Sequence, residues 1–341
     1  MIEKFEYIIR RLLLSVGVLI GLTLIVFVLT RVIPSNPASL YLGPRARPAE
    51  IERVNKQLGL DKPLPAQYLD YVGDVVRGDW GDSISSKQPV LDEITSRLPA
   101  TMELVMVAML LAVVVGTPLG VLSAQLHGKL PDVGVRIISL VGVSMPAFYL
   151  GLLLQLLLFH ELGLFFLTRR FDGTLRFTHP IDEITGFYLF DTAVTGNWVA
   201  FKDVAGHLVL PALTLAAYPI GLVARMTRAT MLEVMEQNYI RTARAYGISE
   251  RFILYNYALR NAIVPTLTVI GLTLAYLLTG AFYVEYIFNW GGLGTFTTTA
   301  FLNLDYPAIM GMTLFGAGGY VIINLIVDLA QAWLDPRIRL K

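Results

Sequence analysis

Six stretches of about twenty apolar residues dominate this sequence, near 10–31, 101–124, 136–160, 206–226, 262–284 and 308–332. A bilayer hydrocarbon core about 30 Å thick is crossed by roughly 20 helical residues at about 1.5 Å each. Inside it every backbone N–H and C=O must be bonded within the segment, which leaves only helices or closed barrels. The pattern therefore predicts an all-α, polytopic integral membrane protein with about six transmembrane helices. Composition agrees: 16% of residues are charged and 55% hydrophobic, against about 25% charged in a soluble domain, and the mean hydropathy is +0.61. A net charge of +1 carries no signature of a nucleic-acid partner. The absence of cysteine excludes thiol catalysis, disulfides and cysteine-based metal sites.

Basic residues cluster before the first run (Lys4, Arg10, Arg11), between the second and third (Lys129, Arg136), between the fourth and fifth (Arg225, Arg228, Arg241, Arg244, Arg251, Arg260) and after the sixth (Arg337, Arg339, Lys341). By the positive-inside rule, both termini and these links are expected in the cytoplasm. The first apolar run is longer than a signal-peptide core and no small-residue cleavage site follows it, so it is expected to stay as an anchor. The resulting organisation is a cytoplasmic end and first span (1–31), an external segment (32–100), spans two and three (101–160), a second external segment (161–205), spans four to six (206–334) enclosing a cytoplasmic segment at 227–261, and a cytoplasmic tail (335–341). Within the first external segment, helices are expected near 48–58 and 65–77. Residues 161–205 are rich in aromatics. They read either as a docking surface or as a small subdomain packing its own core.

The middles of the spans are almost free of ionisable groups. Glu103 and His207 fall near the outer ends of their helices, and Arg225 and Asp328 toward the inner ends, where side chains snorkel or bond at the interface. Proton-coupled carriers place Asp, Glu or His at mid-membrane, so a secondary transporter is disfavoured. No filter-like loop supports a channel. No G-x-x-x-x-G-K-[ST] phosphate loop occurs, so no cofactor is expected in this chain and it is not expected to be an enzyme. Any drive must come through a partner. His127, His160, His179 and His207 are scattered, and Met145 and Met226 read as packing residues, so no metal site is expected.

The segment "NYIRTARAYGISERFILYNYALRNAIVP" (238–265) is too rich in arginine to span the bilayer. Asn238 reads as an N-cap. Gly247 can close a first helix in the left-handed conformation, and Ser249 can cap a second helix running through Phe252, Ile253, Tyr255 and Leu259. Ile240, Ala243 and Tyr246 share one face of the first helix with Arg241 and Arg244 beside it. That face reads as a knob for a groove on a cytosolic partner, as a lipid-bound amphipathic helix, or as packing on the chain's own bundle.

"RTARAYG" resembles the cytoplasmic loop signature of ABC importer membrane subunits, E-A-A, three residues, Gly, then nine residues before I-x-L-P. Arg241, Thr242 and Ala243 stand at the E-A-A positions, Gly247 and Leu259 match, and Arg260 replaces the proline. The longer stretch is similar to the form found in peptide importers. "LGLDKPLPAQYLDYV" (58–72), "GDWGDSISSKQPVLDEITSRLPATMEL" (78–104), "VSMPAF" (143–148), "VEYIFNWGGLG" (284–294), "DYPAIMG" and "NLIVDLAQAWLDPRIR" (324–339) resemble the same subfamily in order and spacing. Gly291 stands where the external turn motif usually has proline, which suggests a looser turn at Trp290, Gly291, Gly292, Leu293 and Gly294. By this resemblance the chain is similar to the B-type permease subunit of the peptide/nickel ABC importer family.

The resemblance implies the ABC importer permease fold in a bacterial or archaeal cell (inner) membrane. It implies a second permease subunit, two cytosolic ABC ATPase subunits that bind ATP and Mg, an extracytoplasmic substrate-binding protein and membrane lipid as partners. Tyr239, Arg241, Thr242, Ala243, Arg244, Ala245, Gly247, Ser249 and Leu259 would couple to an ATPase through a helix near 238–256. Ser144, Gln155 and Asn324 are polar residues on spans and could line a pathway or bond between helices. Peptides are the expected cargo. Oligosaccharides, nickel and opine-like conjugates are the alternatives within the family, and a secondary transporter or a structural scaffold the alternatives outside it.

Overall fold

The computed structural model describes the backbone of residues 2–31, 47–49, 52, 56 and 61–334. The tail at 335–341, with Arg337, Arg339 and Lys341, lies outside the described residues, as does most of the helix expected at 48–58 and the side chain of Asp328. Among the described residues the chain is helical, with one isolated antiparallel bridge, Asp82 to Pro89.

Helix α1 covers Ile2–Arg31, with an apolar stretch at Leu13–Val28. Helix α2 is Leu64–Arg77 and α3 is Val90–Gln125. Next come α4, Leu130–Ser144, and α5, Ala147–Leu154, which continues as a π-helical turn over Gln155–Glu161. The third apolar run is therefore not the straight span expected. It is bent by 109° between its two arms. The cause is local: proline disfavours helical backbone in the residue before it, and Met145, preceding Pro146, is extended at φ −81°, ψ 125°.

Short helices α6 (Leu175–Thr178) and α7 (Tyr188–Val194) precede α8, Trp198–Met235, whose N-terminus is capped by the Asn197 side chain accepting from the Ala200 N–H. Helix α9 is Asn238–Ala245. Helix α10, Glu250–Phe252, runs through a π-helical segment at Ile253–Leu259 into α11, Arg260–Gly280. The chain ends in α12 (Phe282–Ile287), α13 (Leu293–Leu302) and α14 (Tyr306–Leu334). Helical stretches at Val90–Gln125, Trp198–Met235, Glu250–Leu274 and Tyr306–Val327 are long and apolar enough to cross a membrane, and the bent pair α4–α5 supplies a fifth candidate. The protein is an all-α polytopic membrane protein.

The chain divides into two compact units. One joins the described residues up to Leu98 to Thr295–Val321. In it Phe27 packs edge-on to Tyr68 at 5.4 Å, and the Thr23 and Tyr68 hydroxyls bond at 2.9 Å. Gly311 lies against Val90, so no β-carbon would fit there.

The other unit joins Pro99–Gly294 to the described residues from Ile322, and α8 is its axis. Gly116 and Gly120 of α3 press on α8 so closely that a β-carbon would stand 2.9 Å from the Ile220 carbonyl and 2.6 Å from that of Ala224. Between α4 and α8, Gly142 faces the Ala217 carbonyl and Gly221 faces the Ser139 carbonyl, at 2.7 and 2.6 Å from their would-be β-carbons. Lipid tails are as apolar as leucine, so helices in a bilayer gain little from hydrophobic burial. Close backbone approach, which maximises dispersion contact, is the available attraction. Leu104, Val105 and Ala108 of α3, Leu208, Leu210 and Leu215 of α8, and Phe288 and Trp290 fill the core between the helices.

Candidate functional site

The segment after α8 forms a helix–turn–helix. Helix α9 starts one residue earlier than its asparagine suggests: Gln237 takes the extended N-cap geometry (φ −67°, ψ 149°) and its carbonyl accepts from the Ile240 and Arg241 N–H groups, so Asn238 is the first helical residue. At the exit Gly247 is left-handed at φ +76°. Its N–H bonds to the Arg244 carbonyl at 2.9 Å, and the Ile248 N–H bonds to that of Ala243 at 3.2 Å. This is the paired arrangement that satisfies the last carbonyls of a helix. Ser249 stands extended at the N-cap of α10 without a side-chain capping bond. Arg244 Nε pairs with Glu250 Oε1 at 2.8 Å across the turn. Both side chains are well exposed, so this bond orients more than it stabilises.

The faces of α9 differ from the expected knob. Ile240 and Ala243 turn inward and are buried against Val121 and Ala124 of α3, Met231 of α8, and Ile253, Leu254, Ala258 and Ala262. Leu259 packs on the same cluster. Tyr246 does not share their fate and is 82% exposed. The outward face carries Tyr239, Arg241, Thr242, Arg244, Ala245, Gly247 and Ser249, joined by Phe252 and Tyr255. Sequence periodicity placed Phe252, Ile253, Tyr255 and Leu259 on one helix. Phe252 and Tyr255, three residues apart on one face, point out, while Ile253 and Ala258, five apart as the π turn's wider period allows, are buried.

Beside this cluster, Asp132 at the start of α4 is 1% exposed and ties three elements together. It accepts from Ser123 Oγ of α3 at 2.6 Å, from the Gly128 N–H at 3.0 Å, and from Arg228 of α8 at 2.7 and 3.1 Å. Paired, hydrogen-bonded charges are the form in which burial is tolerated. Sequence reading used Arg228 only for orientation and missed its partner, 96 residues away.

The turn at Trp290–Gly294 is tight, contrary to expectation. Gly291 has φ +81°, a conformation closed to proline, whose ring holds φ near −65°. Glu285, fully buried, accepts from Thr101 Oγ1 at 2.6 Å and from the Gly294 N–H at 2.9 Å, while the Leu293 N–H donates to Thr101 Oγ1 at 2.8 Å. Trp290, 1% exposed, donates its indole N–H to the Ala100 carbonyl at 2.8 Å. A β-carbon on Gly292 would sit 2.5 Å from Thr101 Oγ1, and one on Gly294 2.5 Å from the Phe282 Cα. The glycines are there because the backbone wraps a buried carboxylate.

The pathway candidates share no hydrogen bond. Ser144 is exposed at the α4–α5 bend, Gln155 Nε2 makes a long contact of 3.4 Å to the Leu167 carbonyl, and Asn324 Oδ1 is buried with no partner among the described residues. In 161–205 polar bonds and ring contacts hold the segment together. Arg170 bonds Glu103 at 2.7 Å and lies 3.8 Å over the Tyr188 ring. Asp191 accepts from the N–H groups of Ile184, Thr185 and Gly186. Phe177, Phe190 and Trp198 remain 89%, 55% and 61% exposed. His207 stacks on Phe166 at 4.2 Å and its Nδ1 lies 2.9 Å from the Asp203 carbonyl.

Residues 116–340 match the family described as the binding-protein-dependent transport system inner membrane component, and residues 4–105 match the N-terminal region of such membrane components. The chain is 44% identical to the probable D,D-dipeptide transport system permease protein DdpB of Escherichia coli K12, over 94% of each chain. It is 40% identical to the dipeptide transport system permease protein DppB of Alkalihalophilus pseudofirmus, over 98% of this chain and 99% of the relative. To the di/tripeptide transport system permease protein DppB of Pseudomonas aeruginosa it is 41% identical, over 98% of both. With matches covering nearly its whole length, the chain belongs to the family of binding-protein-dependent transport system inner membrane components.

Proposed function

We propose that this chain is the membrane-spanning permease subunit of an ATP-driven ABC importer for short peptides, paired with a second permease and driven by two cytosolic ATPases. The observation that carries the reading is its near full-length similarity to curated peptide permeases at 40–44% identity. The other cargoes considered, oligosaccharides, nickel and opine-like conjugates, have no comparable support. An extracytoplasmic binding protein would deliver the peptide. Ser144, Gln155 and Asn324 would contribute polar groups to the pathway, and the glycine-built turn at Trp290 would act as a rigid external corner.

Coupling runs through α9–α10. Its outer face, with Tyr239, Arg241, Thr242, Arg244, Tyr246 and Phe252, is the surface for an ATPase. Its inner face is packed on the ends of α3 and α8 and on the start of α11. Packed interiors have low compressibility, so displacement of α9 moves those three helices instead of being absorbed. Allosteric coupling requires such an element whose two positions both sites bias.

The test is reconstitution with the partner permease, the ATPases and the binding protein in sealed vesicles. ATP-dependent accumulation of a labelled dipeptide, abolished by omitting the ATPases, is expected. Uptake of oligosaccharide or nickel but not peptide overturns the cargo assignment, and uptake without ATPases overturns the importer. Because the chain has no cysteine, Tyr246→Cys provides a unique thiol. Labelling only from the cytoplasmic side is expected, and labelling of intact cells by an impermeant reagent overturns the orientation.

A further inference from the structure

The antiparallel pair α4 and α8 is pinched where Gly142 meets Ala217 and Gly221 meets Ser139, and is clasped again one turn of α8 beyond Ala224 by Asp132 and Arg228. Between pinch and clasp lies a cavity of about 340 Å³ lined by Val135, Arg136, Ser139, Leu140, Ala224, Arg225 and Arg228. Buried Val135 and Ala224 give it an apolar floor, and Leu140, 64% exposed, gives it an apolar wall. Three guanidinium groups meet one carboxylate. Arg228 is taken up by Asp132 and by His127 Nδ1 at 3.0 Å. Arg136 reaches Asp132 only at 3.8 Å, and Arg225 has no ion pair or hydrogen bond among the described residues.

We propose that this cavity is a binding site for the phosphate of an anionic phospholipid, with Arg225 and Arg136 as its ligands and the Val135–Leu140–Ala224 surface holding the glycerol and upper acyl chain. Three features converge. The positive charge exceeds what Asp132 can neutralise, so the site is electrostatically incomplete without an anion. The walls are apolar, which a soluble phosphate does not match and a lipid does. The position is near the start of α4 and two to three turns before the C-terminus of α8 at Met235, where the apolar run of α8 gives way to charged residues and headgroups lie. Basic pockets between transmembrane helices at this level recognise anionic headgroups, with about 1 kcal/mol per arginine near the surface. Arginine's planar fork suits phosphate oxygens. The inference is independent of the cargo and requires only that the chain be embedded in a bilayer.

The test uses the full-length chain, purified in mild detergent with whatever subunits accompany it, delipidated and then titrated with phosphatidylglycerol, phosphatidylethanolamine or inorganic phosphate while thermal unfolding is followed. Phosphatidylglycerol is expected to raise the midpoint, the zwitterionic lipid and free phosphate to leave it unchanged. In the Arg136→Gln/Arg225→Gln variant, which spares the Asp132–Arg228 clasp, the affinity for phosphatidylglycerol is expected to fall about thirtyfold, the effect of two lost arginines. Equal response to both lipids, a response to phosphate alone, or an unchanged affinity in the double variant overturns the proposal. Native mass spectrometry of the same variants supplies a second reading: co-purified anionic lipid is expected on the wild type and not on the variant, and retention by both overturns it.

Discussion

Gly247 is the joint of the helix–turn–helix, and replacing it separates turn conformation from crowding. Its φ of +76° costs an L-residue with a β-carbon about 1–2 kcal/mol, more when the residue is β-branched. Nothing lies within 4 Å of the position a β-carbon would occupy, so the chain's own packing adds no steric penalty. The cost is conformational, and it falls on the bonds Gly247 N–H to Arg244 and Ile248 N–H to Ala243. A loss of 1–2 kcal/mol is about a five- to thirtyfold shift toward turns in which α10 points elsewhere. Gly247→Val is therefore expected to lower peptide uptake by roughly that factor while ATP hydrolysis persists. Gly247→Asn, of similar bulk but tolerant of the left-handed region, is expected to keep most of the coupling. The assay is the ratio of peptide transported to ATP hydrolysed in reconstituted vesicles. Normal coupling in the valine variant refutes the reasoning. Equal damage by asparagine and valine also refutes it, because crowding against a partner would then be the cause.

Two further outcomes follow from the same geometry. Gly291→Pro, although proline is usual in the motif this turn resembles, is expected to destabilise the protein by more than about 1 kcal/mol, since φ +81° is incompatible with the ring. Gly291→Asn should be nearly neutral, and thermal unfolding in detergent checks both. Asp305 is fully buried at the N-terminus of α14. Burial pushes its pKa up, but bonds from Ser83 Oγ at 2.6 Å and from the Ser85 and Ala308 N–H groups outweigh that and hold it below the usual carboxylate value. A depressed folded-state pKa stabilises above the unfolded value of about 3.9 and loses that contribution as pH falls through the folded one. Unfolding midpoints of the wild type should therefore drop below about pH 4 more steeply than those of Asp305→Asn, and identical profiles would exclude this role.

The length of the apolar runs by itself determined an all-α polytopic fold, because the bilayer imposes a helix length and forbids unpaired backbone whatever the side chains do. The left-handed joint at Gly247 was equally readable, since the need for glycine there is local. Faces and partners were not. Whether Ile240 and Ala243 meet an ATPase or their own bundle depends on Val121, Ala124 and Met231, distant in sequence, and only packing turned them inward. The break at Pro146 could have been anticipated from proline geometry, but the 109° bend is visible only in the folded chain. The carboxylates of Glu285 and Asp132 meet Thr101 and Arg228 across 184 and 96 residues of chain. Periodicity reports which residues share a helix face and says nothing of what lies opposite. That is decided only when distant helices cross, and a buried charge is tolerated only where such a crossing brings it a partner.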